Sequence, residues 1–103
     1  MVLQLRTGRL EAYREAHDRL WPEVARSMSE NDVSMAISHY NGLLFLFATA
    51  PSKEHWERSR QAPILAEWNH RMTEYLTTTP AGNIDLHVPE QVFGFGAFKS
   101  AND

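Results

Sequence analysis

Six consecutive apolar residues, Leu43-Leu44-Phe45-Leu46-Phe47-Ala48, directly follow the pair Asn41-Gly42. An Asn-Gly pair tolerates the positive φ angles of a type I′ turn, so the run reads as the second arm of a β-hairpin. The first arm spans Val33 to Tyr40, where Val33, Met35, Ile37 and His39 alternate with Ser34, Ala36, Ser38 and Tyr40. That period of two marks a half-buried strand. The second arm is apolar on both faces, which is the pattern of a central strand covered from each side. Any fold for this chain must therefore supply two covers for one strand.

Helices supply the first cover. From Arg9 to Ser29 the residues Leu10, Tyr13, Leu20, Trp21, Val24 and Met28 recur at steps of three and four, predicting a helix that buries one stripe. Thr7 is the expected N-cap, Glu15 and Arg19 form an i,i+4 pair, and Asn31-Asp32 ends the segment. Pro22 lies within it, lacks an amide donor and clashes with the Asp18 carbonyl, so a kink is expected between Asp18 and Pro22. A second helical region opens at Pro51-Ser52, with Ser52 as N-cap and Trp56 facing inward. Ala62-Pro63 interrupts it, and the stripe resumes through Ile64, Leu65, Trp68, Met72 and Leu76. Thr77 to Glu90 reads as loop, with Pro80, Gly82, Asn83 and Pro89. Val92 to Phe98 reads as a last strand whose glycines permit close approach of another backbone or a ligand. Lys99 to Asp103 is expected to fray.

With Val2 to Leu5 as a short first strand, the order is strand, helix, strand, strand, helix, strand. This is the split βαβ pattern of ferredoxin-like α+β domains, an antiparallel sheet with helices on one face. The length of 103 residues fits one domain, 1–103, with a real core and no need of a staple. Helices on one face leave the other face of the central strand bare, and a second copy is the simplest cover, so a sheet-against-sheet homodimer is expected.

Composition narrows the chemistry. The absence of cysteine excludes disulfides, thiol nucleophiles and thiolate metal sites, and suits the reducing cytoplasm. Ten basic and 13 acidic residues are interleaved, for a net charge of −3. That pattern forms no basic stripe for nucleic acid and points to a small neutral ligand. The first residues are too short an apolar run for a signal peptide, and no stretch approaches the ~20 apolar residues of a membrane span. A soluble cytoplasmic protein without membrane contact is expected.

Tyr13 and His17 stand four apart, on the same face of the first helix. That face is the core-directed one, and His17 occupies a place where the period calls for an apolar residue. Two readings stand: a core histidine satisfied by a neighbouring oxygen, or a proton-transfer pair opening into a cavity. Trp21, Trp56 and Trp68 likewise fit either core packing or stacking against the C–H faces of a sugar ring. His39, His55, His70 and His87 show no metal-ligand spacing, so no metal is expected. Gly94-Phe95-Gly96 lacks the context of a dinucleotide fingerprint. Glu11, Arg14, Glu15, Asp18, Arg19 and Arg26 read as a solvated helix face.

Taken together, Tyr13-x-x-x-His17-x-x-x-Trp21-Pro22-Glu23, the Asn-Gly hairpin with Leu43-Leu44-Phe45, Trp56, Trp68-x-x-x-Met72 and Val92-Phe93 resemble the L-rhamnose mutarotase family, from about Val2 to Phe95. The resemblance implies a dimeric α/β barrel fold and interconversion of the α and β anomers of L-rhamnose or a related sugar, with no cofactor. It implies that His17 is the principal acid/base group with Tyr13 beside it, and that Trp56 and Trp68 line the sugar site, joined by Trp21. The chain departs from the family pattern on the second strand, where Ser34-Met35-Ala36-Ile37-Ser38 lacks the usual tyrosine. It departs again at Asn69, where an amide able to bond a hydroxyl replaces the second of two tandem tryptophans. Two other classes remain open: a dimeric α/β barrel monooxygenase or haem-binding relative, and a non-catalytic sugar-binding domain.

Overall fold

In the computed structural model, which describes residues 1–99, Asn41 and Gly42 take φ values of 51° and 77°, the left-handed pair a type I′ turn requires. They join β2 (Ser34–Tyr40) to β3 (Leu43–Thr49) in antiparallel register, with Tyr40 opposite Leu43 and Ser34 opposite Thr49. The third strand, β1 (Val2–Gln4), pairs with the other edge of β3, so the sheet order is β1-β3-β2 and the apolar run is central.

The expected helix over 9–29 is two helices rather than one kinked helix: α1 (Leu10–Asp18) and α2 (Pro22–Ser29). Proline disfavours α-helical backbone in the residue before it, and Trp21 is extended at φ −61°, ψ 133°. Pro22 then opens α2 as its first residue, where the missing N–H costs nothing because that donor has no intrahelical partner anyway. Thr7 does not cap α1; Arg9 holds the cap position without a side-chain bond, because Gly8 at φ 76° turns the chain between Thr7 and the helix. Helix α3 (Lys53–Arg60) is capped as expected, the Ser52 hydroxyl accepting from the His55 amide at 3.2 Å. Helix α4 (Ile64–Met72) follows the break at Ala62-Pro63.

One sheet face, with Leu3, Leu5 and Leu44, is buried beneath Tyr13, Val24, Leu65, Trp68, Met72, Tyr75 and Leu76 from the helical side. Ser59 is fully buried at the α2–α3 contact, its carbonyl accepting from Ser27 Oγ at 2.5 Å and its own hydroxyl donating to the Trp56 carbonyl at 2.6 Å. Such pairing keeps buried polar groups satisfied. The opposite sheet face is bare: Phe45 and Phe47 are 42% and 54% exposed, with Tyr40 and Leu43 beside them. The architecture is α+β and ferredoxin-like, an antiparallel sheet with its helices on one face.

The last strand does not form where the sequence places it. Val92 to Phe95 is irregular and Gly96–Phe98 is a 3-10 turn, because Gly96 takes φ 61°, outside the extended range. Gly94 does permit a close approach, to this chain's own backbone: a Cβ there would collide with the Phe98 carbonyl, which accepts from Gln91 Nε2 at 2.8 Å. The free edge of β1 is met instead by His87, within the segment that reads as loop, through Val2 N–H to His87 O at 2.7 Å and His87 N–H to Val2 O at 2.9 Å. Pro89 shortly afterwards cannot donate to a ladder, which ends the pairing. Of the frayed tail expected over 99–103, residues 100–103 lie outside the described residues. No helix among the described residues is long and apolar enough to cross a membrane.

Candidate active site

Between the helices and the covered sheet face lies a cavity of about 490 Å³, within the size range of small-molecule sites. Its buried lining is apolar, with Leu3, Leu44, Leu65, Met72 and Leu76, while Arg14, Asp18, His39, Arg60 and Asn69 are exposed polar residues around it. Tyr13, His17 and Trp68 join the two zones. A ligand with hydroxyl groups on one side and C–H faces on the other matches that division.

Helix α1 sets the proton chemistry. His17 Nδ1 lies 2.9 Å from the Tyr13 carbonyl oxygen, one turn back on the same helix. A carbonyl only accepts, so Nδ1 carries the proton, and the neutral ring keeps an unprotonated Nε2. The imidazole is held between two rings, its centroid 4.2 Å from that of Tyr13 in a tilted pair and 5.3 Å from that of Trp68 in an edge-on pair. Trp21 contacts Trp68 at 5.2 Å, and Tyr75 braces Tyr13 at 6.4 Å, both edge-on. The break at Pro22 is what makes this possible, because it leaves Trp21 at the joint between α1 and α2, against α4. The aromatic chain fixes the orientation of the imidazole, and edge-to-face aromatic pairs add about 0.5–1.5 kcal/mol each beyond their burial.

Burial pushes the Tyr13 phenol up to about 12, so it stays neutral and can donate a hydrogen bond across the physiological range. This raised value also predicts a stability effect. The unfolded phenol loses its proton first, near 10, so stability contributed by the neutral ring is complete below that pH and is lost as the pH climbs from about 10 towards 12. Tyr13→Phe should therefore flatten the fall in melting temperature between pH 9 and about pH 11. An identical alkaline decline in the variant would show that Tyr13 ionisation plays no part.

The structure brings Tyr13, His17, Trp68 and Asn69 to one cavity, with Trp21 behind Trp68. It does not bring Trp56 there. Trp56 borders a separate hollow with Met1, Phe47 and Lys53, because Arg60, one turn further along α3, stacks its guanidinium 4.7 Å over the indole and takes the place beside the cavity. Partial burial lowers the Arg60 guanidinium from its ordinary value without threatening its charge. Arg14 and Asp18, read as part of a solvated face, are exposed but also border the cavity, as a ring around an opening must. Arg60 leaves no signal in the sequence. His39 does: its place in the alternation with Met35 and Ile37 puts it on the covered sheet face. Among the described residues, no three His, Asp or Glu side chains gather to hold a metal ion.

Comparison with known proteins gives the family of the chain. The family model described as L-rhamnose mutarotase matches residues 1–95. An L-rhamnose mutarotase of Formosa agariphila is 28% identical over 95 residues, covering 88% of this chain and 90% of that protein. One from Escherichia coli is 24% identical over 82 residues, covering 77% and 79%. The crystal structure of an L-rhamnose mutarotase from Formosa agariphila superposes with a TM-score of 0.74 at 26% identity, covering 92% of this chain and 94% of that one. The match runs through both helical segments and the hairpin that enclose the cavity, and this chain belongs to the L-rhamnose mutarotase family.

Proposed function

We propose that the protein interconverts the α and β anomers of L-rhamnose by general acid–base ring opening, with His17 as the catalytic group. The observation that carries this reading is the hydrogen bond from His17 Nδ1 to the Tyr13 carbonyl, which leaves a basic Nε2 at a sugar-sized cavity in a member of this family. Nε2 takes the proton from the anomeric hydroxyl O1 as the bond between C1 and the ring oxygen O5 breaks. The electron pair of that bond goes to O5, and C1 becomes an aldehyde carbonyl. The imidazolium returns its proton to O5, only one carbon away from O1. Rotation about C1–C2 and the reverse transfers close the other anomer.

One group moving one proton suffices, and no cofactor enters the balance. Tyr13, neutral in its buried setting, serves as a hydrogen-bond donor to a sugar oxygen. Trp68 offers a flat wall for the C–H face, Trp21 supports that wall, and Asn69 supplies an amide for a hydroxyl. The test is saturation transfer between the α and β anomeric proton signals of L-rhamnose, beside L-fucose, D-glucose and D-ribose. Faster exchange of L-rhamnose is expected, and silence across the panel would remove the reading.

The working form is a homodimer in the cytoplasm. Support for the dimer is the bare sheet face of Tyr40, Leu43, Phe45 and Phe47, a contiguous aromatic and aliphatic patch of the kind that marks an interface. Support for the compartment is the cysteine-free composition. Sedimentation equilibrium should return twice the chain mass, and Phe45→Glu should halve it. A wild-type monomer at tens of micromolar would remove the dimer.

A further inference from the structure

The cavity has a second histidine. His39 borders it from β2, whereas His17 borders it from α1. Strand alternation puts His39 on the same sheet face as Met35 and Ile37, which also line the cavity. Its ring is fixed by the hairpin: the Gly42 backbone N–H donates to His39 Nε2 at 3.0 Å. A backbone amide only donates, so Nε2 is the unprotonated nitrogen and the proton resides on Nδ1. The type I′ turn makes this contact, since the left-handed Asn41 and Gly42 bring the Gly42 amide back over the strand end. His39 is thus the mirror of His17. In His17 the protonated Nδ1 is tied to backbone and the acceptor Nε2 is free; in His39 the acceptor Nε2 is tied to backbone and the donor Nδ1–H is free.

We infer that His39 is a second catalytic residue of this site, its Nδ1–H donating a hydrogen bond to the ring oxygen of the sugar. The assignment rests on the anomer-exchange reading above. When the C1–O5 bond breaks, negative charge gathers on O5 before the His17 imidazolium protonates it. A donor held by the hairpin, at the border of the same cavity, stabilises that charge without having to reorganise. A neutral imidazole does not give up its Nδ1 proton to O5, so His39 holds charge while His17 moves the proton. The two tautomers divide the work between a base and a donor.

Three substitutions separate this role from a structural one. In a His39→Asn variant the amide nitrogen sits where Nδ1 does, keeping the donor and losing the turn contact. His39→Gln places its terminal group where Nε2 does, keeping the turn contact and losing the donor. His39→Leu loses both. With L-rhamnose, kcat should fall about 10–100-fold in His39→Leu and His39→Gln, with KM changed by less than about threefold, and His39→Asn should recover most of the loss. Rescue by Gln rather than Asn would make His39 a structural brace of the turn, and a His39→Leu variant as fast as wild type would overturn the assignment.

A readout independent of turnover is the ring itself. Long-range proton–nitrogen correlation spectra of the wild type at pH 8 should show His39 protonated at Nδ1, with that nitrogen shifting when L-rhamnose is added. A His39 ring protonated at Nε2 would overturn the inference whatever the activity. If the wild type and His17→Ala exchange L-rhamnose equally slowly while His39 has the expected tautomer and responds to sugar, the catalytic reading falls and His39 loses its catalytic role, remaining a ligand donor only.

Discussion

His17→Asn is expected to lower the acceleration of L-rhamnose anomer exchange by about 10²–10⁴-fold, the span of a lost general base. The choice of asparagine isolates the chemistry. Its amide nitrogen overlies imidazole Nδ1 and keeps the donor for the Tyr13 carbonyl, which His17 bonds at 2.9 Å. What disappears is Nε2, the only nitrogen of the ring left free to accept a proton. The fold-change corresponds to about 2.7–5.4 kcal/mol of transition-state stabilisation. Because the substituted side chain is polar and only half-buried in the wild type, melting temperature should move little by comparison. The measurement is saturation transfer at several sugar concentrations, so that kcat and KM separate. A rate within about threefold of wild type would place the base elsewhere in the cavity.

Leu44→Ala carries the largest expected effect on stability. Leu44 is 2% exposed, is the second residue of the central strand, paired with Leu3 of β1 on one side and His39 of β2 on the other, and belongs to the core beneath the helices. Truncating a buried leucine costs about 2–5 kcal/mol, the lost transfer energy plus a cavity that neighbours fill incompletely. Domains of this size hold only about 5–15 kcal/mol in all. A fall in melting temperature of roughly 10–30 °C should follow, read by circular dichroism. The gap would also enlarge the candidate active site, because Leu44 is part of its lining. A loss under about 1 kcal/mol would mean that the helices collapse onto the vacant space and that the core is less rigid than its burial indicates.

The candidate site shows how local and long-range information divide. Tyr13 and His17 are legible because an i,i+4 pair on a helix shares a face in any fold, and an imidazole on an apolar stripe stands out by its period alone. Trp68 is legible by the same spacing. Trp56 has equally good helical credentials and still points to another hollow, since its destination depends on Arg60 lying over its ring. Arg60 itself reaches the cavity only because α3 and the sheet meet there, and an arginine on a short helix has nothing in its neighbours to announce that. His39 sits between these cases: the alternation of β2 places it on the covered face, but the tautomer that gives it a purpose comes from Gly42 across the turn.

By itself, the sequence determined the elements whose cause is local. The Asn41-Gly42 turn, the Ser52 cap and the disturbance of the first helix at Pro22, expected as a kink and found as a break between α1 and α2, follow from backbone preferences of the residues involved, so they hold wherever the chain goes next. Only the tertiary structure decided how the sheet ends and what surrounds the cavity. The edge of β1 is met by His87 rather than by Val92 to Phe98, although the latter has the stronger strand composition. Strand pairing is a contact between distant residues, and the partner is chosen by which segment the preceding turns deliver to the edge. After α4 the chain bonds back to β1 almost at once, Thr77 N–H donating to the Gln4 carbonyl and Arg6 N–H to the Tyr75 carbonyl. That early return, with Ile84 paired back to Thr78, brings His87 alongside Val2 and leaves the aromatic segment after it to fold back at Gly96, with Phe98 against Phe47 on the bare face of the sheet.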